Sequence, residues 1–293
     1  MSDKEYRRII DSTVKMKARD KVSVDVFLSD NGNPIYFLTA ISKLPERRII
    51  KSRVEAFWIN GSGPPKIILK DMHELTGIEA RKGYIEKIRE ALRHQDNMET
   101  LIDALVENGR MLLQIGTLNP NRVDKMDISD PKILRTLDLT YWPELEDGCL
   151  PYTEGIEDQF DSMGIRSSCR HDIYAPRPGQ IYRFHRNKIM ECKLSERGHS
   201  LHAYLSDDIH EFEIQIKVSP DGRKLDAIQS RSIRSPYPGI CSLPFPRVSE
   251  LAGKYLDLEF KKWVIDAVGG KKGCVHLKDL IMDIIRYYKQ ISK

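Results

Sequence analysis

No segment of this 293-residue chain approaches the ~20 consecutive apolar residues of a membrane-crossing helix, so no membrane partner is expected. Charge of one sign is also missing. The 47 basic residues are nearly matched by 43 acidic ones, for a net charge of +4. Binding a nucleic-acid backbone needs a concentrated positive face, so no nucleic-acid partner is expected either. The stretch from Met1 to Asp20 is densely charged and lacks the apolar centre of a signal peptide. A cytoplasmic, reducing location is the resulting expectation. Cysteine is scarce: Cys149, Cys169, Cys192, Cys241 and Cys274 are odd in number, and none lies in the first half. A disulfide framework is therefore not expected, and these residues read as thiols free to bind metal or to react.

What is present is a soluble globular composition, 40% hydrophobic and 31% charged, in a chain long enough for two domains with real cores. The chain also resembles itself. Val22 to Asp30 (VSVDVFLSD) matches His199 to Asp207 (HSLHAYLSD) at an offset of 177. Tyr6-Arg7 matches Tyr182-Arg183 at 176, and Glu74-Leu75-Thr76-Gly77 matches Glu250-Leu251-Ala252-Gly253 at 176. Leu101 and Asp103 then match Leu277 and Asp279 at the same offset. Matches in one order with an almost constant offset point to a duplicated segment.

The expected fold class is α+β: a tandem repeat of two antiparallel β-meander plus helix units. In the first copy Val22, Val24, Val26 and Leu28 alternate with polar residues, the period of a half-buried strand. Ile35–Ile41 and Arg48–Ile59 read as two more strands. The second copy repeats the pattern in Leu201–Leu205, Phe212–Val218 and Lys224–Ile233, with a turn at Ser219 to Gly222. Helices follow: Tyr84–Leu92 and Phe260–Val268 as one pair, then a final helix striped by Leu277, Leu280, Ile281, Ile284, Ile285 and Tyr288. Leu101, Leu105 and Leu112 mark its counterpart. The organisation expected is a degenerate first repeat over 1–116, an irregular strap over 117–180 and a second repeat over 181–293. The strap is broken by Asn119-Pro120, Asp130-Pro131, Trp142-Pro143 and Leu150-Pro151, and its aromatics imply that it packs on the domains.

The copies differ at their polar positions. The second has His210 opening its middle strand, Cys241 ending the run from Ser235, and Cys274 and His276 at the start of its last helix. The corresponding places in the first copy hold Asn33, a turn near Ser62, Met98 and Thr100. The scaffold thus occurs once with a Cys/His set and once without it. With Ile209-His210, Pro236-Tyr237-Pro238-Gly239-Ile240-Cys241 and Gly273-Cys274-Val275-His276-Leu277, the part from Arg183 to Tyr287 resembles an uncharacterised bacterial family, domain of unknown function 2889. It departs from that family in carrying Val275 where Thr is usual and one extra residue before Cys241. The resemblance implies no activity.

Three chemical readings follow. Two thiols and two imidazoles, His210, Cys241, Cys274 and His276, suit a zinc or iron site, although their spacing is not that of a compact finger. Cys274 at a helix N-terminus, where dipole and free amides favour thiolate, with His276 or His210 as base, suits a nucleophilic enzyme acting on an acyl or anionic substrate. The glycine-rich loop Gly269 to Gly273 would then accept an anionic group. The third reading has these residues capping and packing the last helix, in a non-catalytic binding module or accessory subunit with a protein partner or small-molecule ligand. Cys149, Cys169 and Cys192, without an evident partner, belong with that reading. The acidic strap residues from Glu144 to Asp161 read as a solvated face, lacking the spacing of a calcium loop.

Overall fold

The computed structural model describes residues 3–18, 20–30, 35–58, 66–81, 83–94, 98–115, 123–175 and 182–292. Its strands are β1 (Lys4–Ala18), β2 (Lys21–Asp30), β3 (Ile35–Lys43), β4 (Arg48–Trp58), β5 (Lys66–Asp71), β6 (Tyr182–Leu194), β7 (His199–Asp207), β8 (Glu211–Val218) and β9 (Leu225–Arg234). The helices are α1 (Tyr84–Leu92), α2 (Met98–Leu112), α3 (Pro131–Tyr141), α4 (Glu157–Ser162), α5 (Phe260–Val268) and α6 (Val275–Ile291). Hydrogen bonding orders the strands β5-β4-β3-β2-β1-β6-β7-β8-β9 in an antiparallel sheet, so the α+β class holds. The chain forms two compact units. One comprises Arg8–Lys125 with His171–Asn187; the other comprises Met1–Arg7, Met126–Arg170 and Lys188–Lys293.

In the first unit, α2 packs on β2 and β3, burying Val22, Val24, Val26 and Leu28 against Leu105 and Leu112. Its core also contains charge. Arg8, fully buried on β1, reaches the carboxylates of Asp30 and Asp103. Glu107 of α2 takes Arg186 at 3.4 Å and Arg110 at 3.6 Å. In the second unit, α6 packs on β7 and β8. The strict alternation of β8 sends Phe212, Ile214, Ile216 and Val218 inward, and Glu213, Gln215 and Lys217 to the open face. Leu277, Leu280, Ile281, Ile284 and Ile285 meet them from α6. Each such side chain contributes about 1.5–3 kcal/mol by leaving water. Lys188 is buried at 2.8 Å from Asp283, which also takes Arg286 at 3.0 Å.

β1 and β6 were not among the expected strands. Both alternate, but at several inward positions they carry charge or hydroxyl: Arg8 and Ser12 on β1, Arg186 and Lys188 on β6. Their apolar period is therefore broken, and buried carboxylates on the helices compensate the cations.

The strap belongs to the second unit from Met126 to Arg170. It is not wholly irregular. Asp130 caps α3, its carboxylate accepting from the Lys132 and Ile133 amides, with Pro131 at the first helical position. The acidic strap residues meet cations: Arg135–Glu157 at 2.6 Å, Lys132–Asp161 at 2.6 Å and Lys271–Asp147 at 2.9 Å. Asn33 and the turn near Ser62 lie outside the described residues. No described helix is long and apolar enough to cross a membrane.

Candidate functional site

His210 is positioned by the turn between β7 and β8. The Asp207 side chain folds back over that turn, and its Oδ1 accepts from the Ile209 amide at 2.8 Å and the His210 amide at 2.6 Å. The same carboxylate lies 3.1 Å from His210 Nδ1. A carboxylate only accepts, so Nδ1 carries a hydrogen toward Asp207 and Nε2 faces the other way. His210 is buried. Its ring lies 4.0 Å from that of His276, inclined by 33°, and both contact Phe212, which rests on Phe245 at 5.0 Å.

His276 and Cys274 are brought there by the start of α6. The lead-in is a tight 3-10 turn over Gly270–Lys272, closed by Gly273 N–H donating to Gly270 O and Cys274 N–H to Val268 O at 2.8 Å. At Gly273 a Cβ would sit 2.1 Å from Val268 O, so no other residue fits. Cys274, with extended φ and ψ, is the N-cap of α6, its sulfur accepting from the Leu277 amide at 3.5 Å. The Gly273, Cys274 and Leu277 amides are thus spent on Gly270 O, Val268 O and the Cys274 sulfur. Lys271 is paired with Asp147.

Cys241 closes the turn that follows β9, its amide donating to Tyr237 O at 3.0 Å. Tyr237, fully buried, stacks on Phe160 at 5.3 Å, meets Tyr152 edge-on at 6.1 Å, and donates to Asp138 Oδ2 at 3.2 Å. Tyr152 donates to the same oxygen at 2.7 Å. The strap aromatics Tyr152 and Phe160 therefore pack around the Pro-Tyr-Pro segment. Burial, then the charge of Asp138, hold the Tyr237 hydroxyl well above the ordinary phenol range.

Opposing influences act on the Cys274 and Cys241 thiols. A helix N-terminus should lower the pKa of Cys274, and the Leu277 and His276 amides do pull it down. Contact with the Cys149 thiol and burial overcome them and push Cys274 well above the usual thiol range. Cys241 is pushed up by burial and then by its neighbour Cys274.

Cys149 thus has a partner, contrary to the expectation from sequence. It sits in the strap just before a 3-10 turn (Leu150–Tyr152), and Leu150 N–H donates to Gly273 O at 2.9 Å, which draws it beside Cys274. No local spacing announces a contact across so many residues; the only hint is the breaker Leu150-Pro151. Asp207, which orients His210, was also missed. Its signal was present, an Asp three residues before the His in a turn.

The four expected ligands are gathered pairwise: His210 beside His276, and Cys241 close enough to Cys274 to raise its thiol pKa. Among the described residues, no three His, Cys, Asp or Glu side chains converge in a group that could hold a metal ion. All five cysteines are free thiols. On the far side of the sheet, β7, β8 and β9 present an open depression of about 380 Å³ lined by Ser200, His202, Gln215, Lys217 and Gln229 among others.

Residues 191–290, within the second unit, match the family model described as "Protein of unknown function (DUF2889)". No curated protein and no solved structure matches the chain.

Proposed function

We propose that this chain is a non-catalytic binding module or accessory subunit, in which the Cys/His set is an internal cap and packing group. The observation that carries the reading is closure: Cys274, Cys241 and His210 are 4%, 6% and 6% exposed. A nucleophile needs an approach for its substrate and a thiolate to attack with, and burial denies both. The ligand or protein partner would meet the open face of β7–β9. There His202 stands between Glu191 at 3.4 Å and Glu213 at 3.2 Å, Gln229 donates to Gln215, and Lys217 donates to Ser200. A depression of about 380 Å³ with polar side chains already pre-arranged is of a size that suits a small polar ligand. A reducing compartment such as the cytoplasm belongs to the proposal, and five free thiols fit it.

Tandem duplication is part of the same reading. Each half runs from paired strands to a 3-10 turn and two helices. The i,i+3 pairs Glu107–Arg110 and Asp283–Arg286 fall at the offset read from the sequence. The second half then supplies the binding face, and the first serves as its scaffold.

A zinc or iron centre at His210, Cys241, Cys274 and His276 is the second reading, favoured by ring lying beside ring at 4.0 Å and thiol beside thiol. It requires the two pairs to close on one ion. Elemental analysis of protein purified without chelators separates the two. Protein without stoichiometric metal, whose Cys241 and Cys274 thiols resist iodoacetamide below pH 7, supports the binding module. Stoichiometric zinc or iron that disappears in Cys274→Ser supports the metal centre. One rapidly alkylated thiol at Cys274 supports the enzyme and defeats both.

A further inference from the structure

Cys149 and Cys274 meet in a geometry that a packing role does not require. Both are extended, with φ and ψ of −155° and 146° at Cys149 and −132° and 120° at Cys274. They flank one backbone hydrogen bond, Leu150 N–H to Gly273 O at 2.9 Å. Two further links hold the segments side by side: Thr153 Oγ1–H to Lys271 O at 2.9 Å, and Lys271 Nζ to Asp147 Oδ2 at 2.9 Å. Residues directly opposed in an antiparallel pair have Cα atoms about 4.5–5.5 Å apart. That range lies inside the roughly 4.4–6.8 Å spanned by disulfides. The Cys149 thiol lies close enough to Cys274 to act on its ionisation, and both are reduced.

We propose that Cys149 and Cys274 are a redox-active dithiol that closes to a disulfide, with a hydroperoxide as the oxidant. The Cys149 sulfur, buried in the closed chain and reached by a small peroxide only when the strap opens locally, attacks the peroxide oxygen. An S–O bond forms, the O–O bond breaks, and the alcohol (water, for hydrogen peroxide) leaves with a proton. The Cys274 sulfur then attacks the sulfenic sulfur. The S–S bond forms, the S–O bond breaks, and the departing hydroxyl leaves as water with the Cys274 proton. Two electrons pass from the two thiols to the peroxide. The product ties the strap to the N-cap of α6, fixing the face of the unit that contains the loop before that helix. Burial makes closure slow, and dithiothreitol reverses it.

This inference stands apart from the binding-module reading. The test is hydrogen peroxide treatment of the intact reduced protein, followed by acid quench and denaturing alkylation with N-ethylmaleimide. The expected product has lost two hydrogens and takes up three maleimides where the reduced chain, with its five thiols, takes up five. Its non-reducing peptide map joins the Cys149 peptide to the Cys274 peptide. Cys149→Ser and Cys149→Ala abolish that product, and Cys192→Ser leaves it. The proposal is overturned if all five thiols still alkylate, if they oxidise singly to sulfinic acids, or if the linked pair contains Cys241 or Cys169. Should the serine and alanine variants not fold, the wild-type map alone decides.

Discussion

Replacing Asp207 by alanine would remove one oxygen that three buried donors share. The Ile209 amide at 2.8 Å, the His210 amide at 2.6 Å and the His210 ring at 3.1 Å all converge on Oδ1. Ile209 and His210 are 7% and 6% exposed, so water replaces the carboxylate only by opening the turn. A buried donor left without a partner costs about 1–3 kcal/mol, and partial relaxation of the turn lowers a simple threefold sum. The expected loss is about 3–5 kcal/mol, among the larger effects of a single substitution. Asp207→Asn keeps an acceptor oxygen but not the charge, and should lose about 1–2 kcal/mol. Urea unfolding followed by far-UV circular dichroism measures both. An alanine variant within about 1 kcal/mol of wild type would refute the reasoning, as would an asparagine variant equally damaged.

The remaining predictions follow from single contacts. Gly273→Ala drives a Cβ to 2.1 Å from Val268 O, so the start of α6 must shift; a loss of about 3 kcal/mol or failure to accumulate folded protein is expected, read by thermal unfolding. Lys188→Met leaves Asp283 buried with only part of its compensation and should cost about 3–5 kcal/mol, whereas Lys188→Met with Asp283→Leu should recover most of that in the same unfolding assay. Burial and Asp138 hold the Tyr237 phenol neutral in the folded chain. Its pKa is raised on folding, so its contribution is fully present below the unfolded value of about 10 and is lost as pH rises beyond it. Tyr237→Phe should therefore unfold less steeply with alkali, while losing about 1 kcal/mol at neutral pH with its hydrogen bond to Asp138.

How much of this was legible in the sequence depended on where charge lies. β7, β8 and both helix pairs follow periods that inward apolar residues make plain, and α1 and α5 begin and end at the expected residues. β1 and β6 were hidden because Arg8, Arg186 and Lys188 point inward, where a period-based reading looks for apolar side chains. The strap's longer helix was obscured by the proline that starts it: Pro131 opens α3 just after its cap, a position where proline favours a helix. At the site, the residues that set the contrast between the two halves were readable one by one. Their pairing was not, because it depends on long-range backbone contacts such as Leu150 to Gly273. The helix-terminus argument for an acidic Cys274 had the right local physics. It was outweighed by a second thiol and by burial, neither visible in the motif.

The proposed function requires the Cys241 and Cys274 thiols to be shut inside the second unit. The direct measurement is the rate at which iodoacetamide labels each cysteine of the native, reduced protein at pH 6.5, with metal content determined on the same sample. Slow labelling of Cys241 and Cys274, rising to the rate of free thiols only on unfolding, with no stoichiometric metal, is the predicted result. Fast labelling of Cys274 in the folded chain, or one zinc or iron per chain released by Cys274→Ser, would contradict it.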